Sequence, residues 1–326
     1  MKLYLGIDVG SVSINIVALN QQWEVVESLY LRTQGQPIQK IQMGLGLLKE
    51  KLSNDIEIIG VGTTGSGRNL ANIIVGADSV KNEITAHAVA ASKLVPGVRT
   101  VLEIGGQDSK IILLRQGIVS DFAMNTVCAA GTGSFLDQQA ARLDIPIEEF
   151  GNLALKSNST VRIAGRCSVF AESDMIHKQQ MGHRLEDIVR GLCEALVRNY
   201  LNNVGKGKEI LAPVVFQGGV AANAGIRDAF QRILGLEIQI PKYYNVMGAV
   251  GAALLAAKEV EKTGRTRFRG LGLIEDNYQA GSFECKGCAN MCEVIKITKE
   301  RQIIACWGDK CGKWSESDYN NLSVGL

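Results

Sequence analysis

Three short apolar segments open the chain, and turn-forming residues separate them. The segments cover residues 3–9, 13–19 and 24–31. Short apolar runs joined by such tight turns are typical of consecutive antiparallel strands, so we predict a three-stranded meander. We expect a helix over residues 37–52 to follow, then a strand over 57–61 and further helices to about residue 94.

The same order of elements recurs in the middle of the chain. Three strands are predicted over residues 100–104, 110–114 and 118–123. Helices are predicted over residues 134–143, 147–155, 171–180 and 185–203. The last elements are a strand over 213–217, a helix over 222–234, a strand over 237–240 and a helix over 246–262. Two copies of a meander followed by helices predict a duplicated α/β fold, and clefts between such halves hold ligands.

The character of the sequence changes after residue 263. Residues 263–269 carry three arginines, which we interpret as a solvated linker, and the residues beyond them hold five of the eight cysteines. We therefore expect a boundary near residues 265–280. The expected units are a domain over 1–265, made of two halves (about 1–95 plus the C-terminal helix, and about 96–245), and a linker with a cysteine-rich tail over 266–326.

Composition and charge narrow the class of protein. Apolar residues make up 46% of the 326 and the formal net charge is only +2, which excludes a disordered chain and argues against a nucleic-acid platform. No apolar run reaches the roughly 18 residues of a membrane span. We expect a cytoplasmic protein with no membrane or nucleic-acid partner, in which cysteines are core residues, metal ligands or redox thiols rather than disulfides.

Three predicted strands end in glycine turns that suit phosphate binding. These turns lie in Gly6–Ser11, residues 102–108 and residues 216–221. Glycines let backbone N–H groups approach phosphate oxygens, and the start of a helix adds favourable potential. An aspartate beside such a turn, such as Asp8 or Asp108, can hold Mg²⁺ through water. The alternative is three ordinary tight turns.

A literal G-x-G-x-x-G pattern at residues 60–65 gives a different signal. It follows a predicted strand and precedes a helix, so by itself it would indicate a dinucleotide site. The unit before it is a meander, however, and not an opening βαβ unit. No Walker A motif is present, because no Gly-Lys pair is followed by Ser or Thr.

The order of these segments resembles the actin, sugar-kinase and Hsp70 ATPase superfamily. More narrowly, about residues 1–260 resemble the ATPase activators of 2-hydroxyacyl-CoA dehydratases and the related ATPase subunits of benzoyl-CoA reductases. The segments that carry the resemblance are Gly6–Ser11 and residues 63–68, 82–88, 103–108, 218–223 and 245–249. The resemblance implies a duplicated actin/Hsp70-like ATPase fold with a small cysteine-rich C-terminal appendage. It also assigns the pattern at 60–65 to the family's Thr-Thr-Gly segment.

The resemblance implies a site for ATP or ADP with Mg²⁺. Asp8 and Asp108 are then the residues for Mg²⁺ or its water, and Gln107 positions the attacking water. The implied nucleotide-binding residues are Gly10, Ser11, Gly105, Gly106, Gly218, Gly219, Ala221 and Asn223. One departure concerns the first loop, which in the family usually continues with Thr and later Lys. Val12 and Asn15 stand there, so one phosphate-facing hydroxyl and one cation are missing.

Two cysteines stand just before predicted helices. Cys128 and Cys167 are so placed, and a helix N-terminus stabilises a thiolate. Two thiolates are half of a tetrahedral set, which a two-fold dimer would complete; the alternative is two small buried residues. The resemblance implies one [4Fe-4S] cluster that bridges two identical subunits. Cys193, inside an amphipathic helix, is predicted to be a core residue, and His87 to have a packing or structural hydrogen-bonding role.

The tail concentrates the remaining cysteines. They are Cys285, Cys288, Cys292, Cys306 and Cys311. Residues 293–298 and 301–305 predict a hairpin between them that turns at Lys299-Glu300. Five cysteines around a hairpin predict a metal knuckle that replaces a hydrophobic core, with either an iron–sulfur cluster or zinc and one cysteine to spare. Free thiols are the alternative.

These observations together predict an ATP-dependent electron-transfer activator. The resemblance implies a homodimer that receives one electron from ferredoxin or flavodoxin and passes it to a partner iron–sulfur dehydratase or double-cubane reductase. A small-molecule kinase of the same superfamily is one alternative, although it leaves Cys128 and Cys167 unexplained. An ATP-sensing binding protein is another, favoured if Val12 and Asn15 abolish turnover.

Overall fold

Two five-stranded sheets of the same topology form the two halves of the protein. The computed structural model describes residues 1–52, 56–159 and 161–315. The first half contains β1 (Lys2–Val9), β2 (Ser13–Asn20), β3 (Val25–Arg32), α1 (Pro37–Lys51), β4 (Glu57–Thr64), α2 (Arg68–Val75), β5 (Ser79–Val80) and α3 (Glu83–Leu94). The second contains β6 (Thr100–Ile104), β7 (Ser109–Arg115), β8 (Ile118–Asn125), α4 (Gly133–Arg142), α5 (Ile147–Leu155), α6 (Ser168–Gln180), α7 (Leu185–Asn203), β9 (Val214–Gln217), α8 (Ala224–Leu234) and β10 (Ile238–Gln239).

The spatial order of the strands confirms the predicted duplication. The first sheet runs β3-β2-β1-β4-β5 and the second runs β8-β7-β6-β9-β10. In each sheet the first three strands in sequence are antiparallel, and the next two join in parallel to the first. Parallel pairing requires a crossover, which the helices between the strands supply. The short strand β5 was not predicted, and β4 extends three residues beyond the prediction, to Thr64.

A final helix, α9 (Met247–Thr263), returns to the first half and packs on β1 and β4. A Cβ atom on Gly6 would overlap the carbonyl group of Ala249, and one on Gly62 would overlap that of Ala252. Glycine is therefore required at both strand positions for α9 to approach the sheet. Gly62 belongs to the G-x-G-x-x-G pattern, so this glycine of the pattern serves the packing of α9 on the sheet. In the described part of the chain, no helix is long and apolar enough to cross a membrane.

The C-terminal appendage is a three-stranded antiparallel sheet. It consists of β11 (Tyr278–Glu284), β12 (Glu293–Lys299) and β13 (Gln302–Trp307). The predicted hairpin is confirmed, but its turn lies one residue later, at Glu300 and Arg301, which both have positive φ. Strand β11 was not predicted. Ile297 of β12 is fully buried with the core of the first half, so the appendage packs against that half.

Asp78 fastens the linker to the first half. Its Oδ1 accepts a 2.6 Å hydrogen bond from the Arg267 backbone N–H, and its Oδ2 accepts bonds from Thr266 Oγ1 and the Val61 N–H. We expect Asp78→Ala to lower the free energy of unfolding by about 2 kcal/mol, because buried donors lose a charged acceptor. Trypsin should then cleave the arginines of the linker about tenfold faster. Glu261→Ala, on the exposed surface of α9, is the control, and equal cleavage of both variants would contradict the expectation.

Candidate nucleotide site and cysteine sites

The three glycine turns meet at a cavity of about 270 Å³ between the two sheets. The expected residues that line it are Asp8, Gly10, Ser11, Gly105, Gly106, Gln107, Asp108, Gly218 and Gly219. They come from the ends of β1, β6 and β9, which are far apart in sequence and adjacent only across the cleft. Ala221 does not line the cavity. It is buried behind the turn, where its N–H donates to the Gly218 carbonyl.

A second cavity of about 240 Å³ adjoins the first, and Val12, Tyr30 and Gly106 line both. Asn223 lies in its wall and caps α8 by accepting a hydrogen bond from the Ile226 N–H. Helices α4 and α5 supply the other side with Leu136, Asp137, Ile147, Glu148, Gly151 and Asn152. Sequence analysis missed these residues, because they look like the ordinary faces of two amphipathic helices.

A buried lysine organises the acidic side of the first cavity. Lys110 Nζ lies 2.9 Å from carboxylate oxygens of both Glu103 and Asp108 and 3.5 Å from Glu83. Burial alone would lower the pKa of Lys110, but the three carboxylates raise it above its usual value. Burial, with repulsion from Asp108, raises the pKa of Glu103 to about 7 despite the lysine. One sign of this buried cluster was visible in the sequence, namely a lysine within the apolar strand β7.

Asp8 has a different environment from the other carboxylates. It is opposite Asn15 in the β1–β2 register, and both side chains line the first cavity. Burial, helped by the negative charge of Glu83, raises the pKa of Asp8 to about 7. Among the described residues no side chain forms an ion pair with it. A half-buried carboxylate without a cationic partner at the wall of this cavity fits the oxygen ligands that Mg²⁺ prefers.

His87 has the structural role that was predicted. Its Nδ1 lies 2.7 Å from Nε2 of Gln217, and burial together with the charge of Lys110 lowers its pKa to about 3. The imidazole is therefore neutral at physiological pH. It joins α3 of the first half to β9 of the second behind the cavity that it helps to line.

The segments that carry Cys128 and Cys167 lie next to each other although 39 positions separate the two cysteines in sequence. Cys128 Sγ is 3.9 Å from the carbonyl oxygen of Arg166, the residue before Cys167. Both side chains are partly exposed, and Cys167 is the N-cap of α6. Asn199 Nδ2 points an N–H at Cys128 Sγ over 3.6 Å and also donates to the Gly165 carbonyl over 2.6 Å, so it links the two cysteine segments.

Large apolar side chains surround these two thiols at the surface. Val127 is 95% exposed and Phe170 is 66% exposed. Val169, between Cys167 and Phe170, is exposed to a similar degree. In the described residues no group of three or more His, Cys, Asp or Glu side chains is placed to hold a metal ion. One chain therefore presents two partly exposed thiols beside exposed apolar side chains.

The remaining cysteines have varied surroundings. Cys193 is 1% exposed in the core of the second half, as predicted, and burial raises its pKa. In the appendage, Cys285 and Cys306 are buried in one small apolar cluster with Cys292 packed against it, while the remaining two are exposed. Trp314 Nε1 donates to Cys285 Sγ over 3.2 Å. These thiols share one end of the appendage without forming a ligand group, so the tail metal stays a prediction.

The fold and the cleft together define the class. Two duplicated α/β halves around glycine turns and acidic residues form an ATPase of the actin/Hsp70-like fold. A solved activator of 2-hydroxyisocaproyl-CoA dehydratase from Clostridium difficile with bound ADPNP superposes with a TM-score of 0.73 at 33% identity, covering 80% of this chain and 97% of that one. Component A of (R)-2-hydroxyglutaryl-CoA dehydratase from Acidaminococcus fermentans superposes with a TM-score of 0.72 at 34% identity. The match covers 80% of this chain and 100% of that one.

The chain belongs to the BadF/BadG/BcrA/BcrD ATPase family, whose model matches residues 5–256. The (R)-2-hydroxyglutaryl-CoA dehydratase activating ATPase of Acidaminococcus fermentans is 36% identical over 80% of this chain and all of that protein. The activator of lactoyl-CoA dehydratase from Anaerotignum propionicum is 34% identical over 79% of this chain and 98% of that protein. The appendage lies beyond the residues that the family model matches.

Proposed function

We propose that this protein is an ATP-dependent activator that delivers single electrons to a partner iron–sulfur enzyme. The partner is a 2-hydroxyacyl-CoA dehydratase or a related double-cubane reductase, and reduced ferredoxin or flavodoxin is the donor. Two copies hold one [4Fe-4S] cluster through Cys128 and Cys167 of each. The observation that carries this proposal is a direct connection between the nucleotide cavity and the segment with Cys128.

The segment with Cys128 touches the nucleotide cavity on both sides of the cysteine, through a lining residue before it and through short hydrogen bonds after it. Before it, Thr126 lines the first cavity. After it, the Gly133 N–H donates to the Gly105 carbonyl over 2.9 Å, and the N–H and Oγ of Ser134 donate to the Gly106 carbonyl over 2.8 and 2.6 Å. A displacement of the glycine turn when nucleotide is exchanged therefore moves both ends of the Cys128 segment. ATP can drive this change only by binding the two arrangements with different affinity.

The two adjoining cavities suit the two parts of ATP. Glycine turns and carboxylates in the first fit the phosphate groups with Mg²⁺, which Asp8 and Asp108 would hold directly or through water. The more apolar walls of the second, from α4 and α5, fit the nucleoside. Bound Mg²⁺ would neutralise phosphate charge. Gln107, which is exposed in the first cavity, orients the attacking water.

The chain's own residues prepare the cysteine pair for a shared cluster, which would supply one-electron redox chemistry. The Asn125 side chain fixes the Cys128 segment, since its Oδ1 accepts from the Cys128 N–H and its Nδ2 donates to the Cys128 carbonyl. Cys167 stands at the N-cap of α6, where its partly exposed side chain is accessible to a ligand. The exposed apolar rim suits a two-fold contact with a second copy, which would bring the missing two thiolates.

Iron content of the protein purified without oxygen tests the shared cluster. The Cys128→Ser variant should contain about four fewer irons per dimer than wild type, because its bridging set of cysteines is incomplete. Cys193→Ala, which removes a core thiol, is the matched control and should keep its iron. ATP binding should persist in both variants, since neither cysteine lines the nucleotide cavities.

A brown, iron-replete Cys128→Ser dimer would overturn the shared-cluster proposal. Iron or zinc that remains in this variant would belong to the tail, where we propose a separate metal site among the five cysteines of the appendage. The same measurement therefore separates the two sites.

A further inference from the structure

The nucleotide cavities contain very little uncommitted positive charge. Four carboxylates line the first cavity, those of Asp8, Glu83, Glu103 and Asp108. Its one cationic side chain, Lys110, is already paired with three of them. Asn15, opposite Asp8, is neutral. A nucleotide polyphosphate entering this site therefore needs positive charge from elsewhere than Lys110.

Arg32 is the remaining cation in the lining of the two cavities. It stands at the end of β3, directly opposite Ser13 in the β2–β3 register, and Ser13 lines the phosphate cavity. Its guanidinium forms no hydrogen bond or ion pair with any residue that the structure describes. Its five donors are thus free for a ligand.

The backbone at Arg32 is fixed to the first glycine loop. The N–H of the next residue, Thr33, donates to the Val12 carbonyl over 2.9 Å, and its Oγ1 donates to the Gly10 carbonyl over 3.2 Å. Thr33 itself is buried. The backbone of Arg32 is therefore held at a defined position beside the loop. Only its side chain needs to be ordered when a ligand binds.

Tyr30 shows that this edge of β3 reaches the opposite half. It lies two residues before Arg32, hence on the same face of the strand, and its ring lines both cavities. A Cβ atom placed on Gly219 would lie 3.7 Å from Tyr30 Oη, so the tyrosine faces the third glycine turn across the cleft. Arg32 itself lines only the second cavity, and its place on the same strand face as Tyr30, which lines both, puts it beside their junction.

We propose that Arg32 binds the phosphate groups of the nucleotide from the first half, as the cation that Lys110 cannot supply. The inference rests on the nucleotide site of the proposed function. A guanidinium binds phosphate oxygens through two parallel hydrogen bonds, which a lysine cannot reproduce. Because Arg32 belongs to one half and the glycine turns at 105–106 and 218–219 to the other, this contact also draws the halves together around the nucleotide.

Binding of MgADP, inorganic pyrophosphate and adenosine to the full chain tests the proposal. Arg32→Ala should weaken MgADP and pyrophosphate at least tenfold, the size expected for one charge-assisted contact, and leave adenosine unchanged. Arg32→Lys should recover only part of the loss. Arg99→Ala is the matched control, since Arg99 is exposed at the opposite end of β6 from Gly105. Thermal unfolding confirms that each variant is folded.

Two results would overturn the inference. Unchanged MgADP and pyrophosphate affinity in Arg32→Ala would show that Arg32 makes no phosphate contact. An equal loss for adenosine would place Arg32 on the nucleoside, or in an ion pair with Asp137 or Glu148, which line the same cavity. Failure of the wild-type protein to bind any nucleotide would contradict the proposed function itself, and is thereby distinguished from both.

Discussion

Lys110→Met is expected to lower the free energy of unfolding by about 4 kcal/mol, because it leaves an unpaired group of buried charges. Lys110 is 2% exposed and contacts the carboxylates of Glu83, Glu103 and Asp108. Methionine keeps an unbranched stem of four heavy atoms and lacks only the terminal ammonium group, so the loss reports mainly charge rather than volume. Denaturant unfolding of the ligand-free protein measures it.

A second substitution separates charge from other causes. Glu103→Gln added to Lys110→Met should recover about half of the lost stability, because it removes the most buried of the three carboxylates. Lys208→Met is the control, since Lys208 pairs with the exposed Asp121 at the surface and should have little effect. Equal stability of Lys110→Met and Lys208→Met would show that the buried cluster does not stabilise the fold.

Asp8→Asn is expected to reduce ATP hydrolysis about a thousandfold while the protein stays folded. Burial raises the pKa of Asp8 to about 7, so its negative charge is unfavourable in the ligand-free protein. An amide of the same shape removes that cost and also removes the charge that we assign to Mg²⁺. Loss of activity together with an unchanged or higher melting temperature is the result that distinguishes a functional carboxylate from a structural one.

Steady-state hydrolysis at saturating MgATP and thermal unfolding of the ligand-free protein are the two measurements. Asp121→Asn, on the exposed strand β8, is the matched control and should keep wild-type turnover. An Asp8→Asn variant with more than a tenth of wild-type turnover would remove Asp8 from the catalytic site.

Regular local patterns explain why so much of the fold could be predicted. Strand β6 was predicted at its observed bounds, Thr100–Ile104, since an apolar run between turn residues needs no tertiary information. The very short β5 and the appended β11 were missed. β5 pairs only two residues with β4, and β11 has half-exposed polar positions whose strand conformation depends on pairing with β12.

The duplicated halves, the three glycine turns and the two cysteines that precede helices could be predicted from local sequence. These are local signals, because glycine, helix starts and strand periodicity act within a few residues. Which of these features come together depends on how the chain folds. The ion pair of Lys110 with Glu83 and the bonds from Gly133 and Ser134 to the glycine turn join residues distant in sequence. The cavity wall formed by α4 and α5 and the unpaired state of Arg32 likewise depend on the fold. Burial and charge pairing depend on the surroundings that folding creates, so composition and spacing could not reveal them.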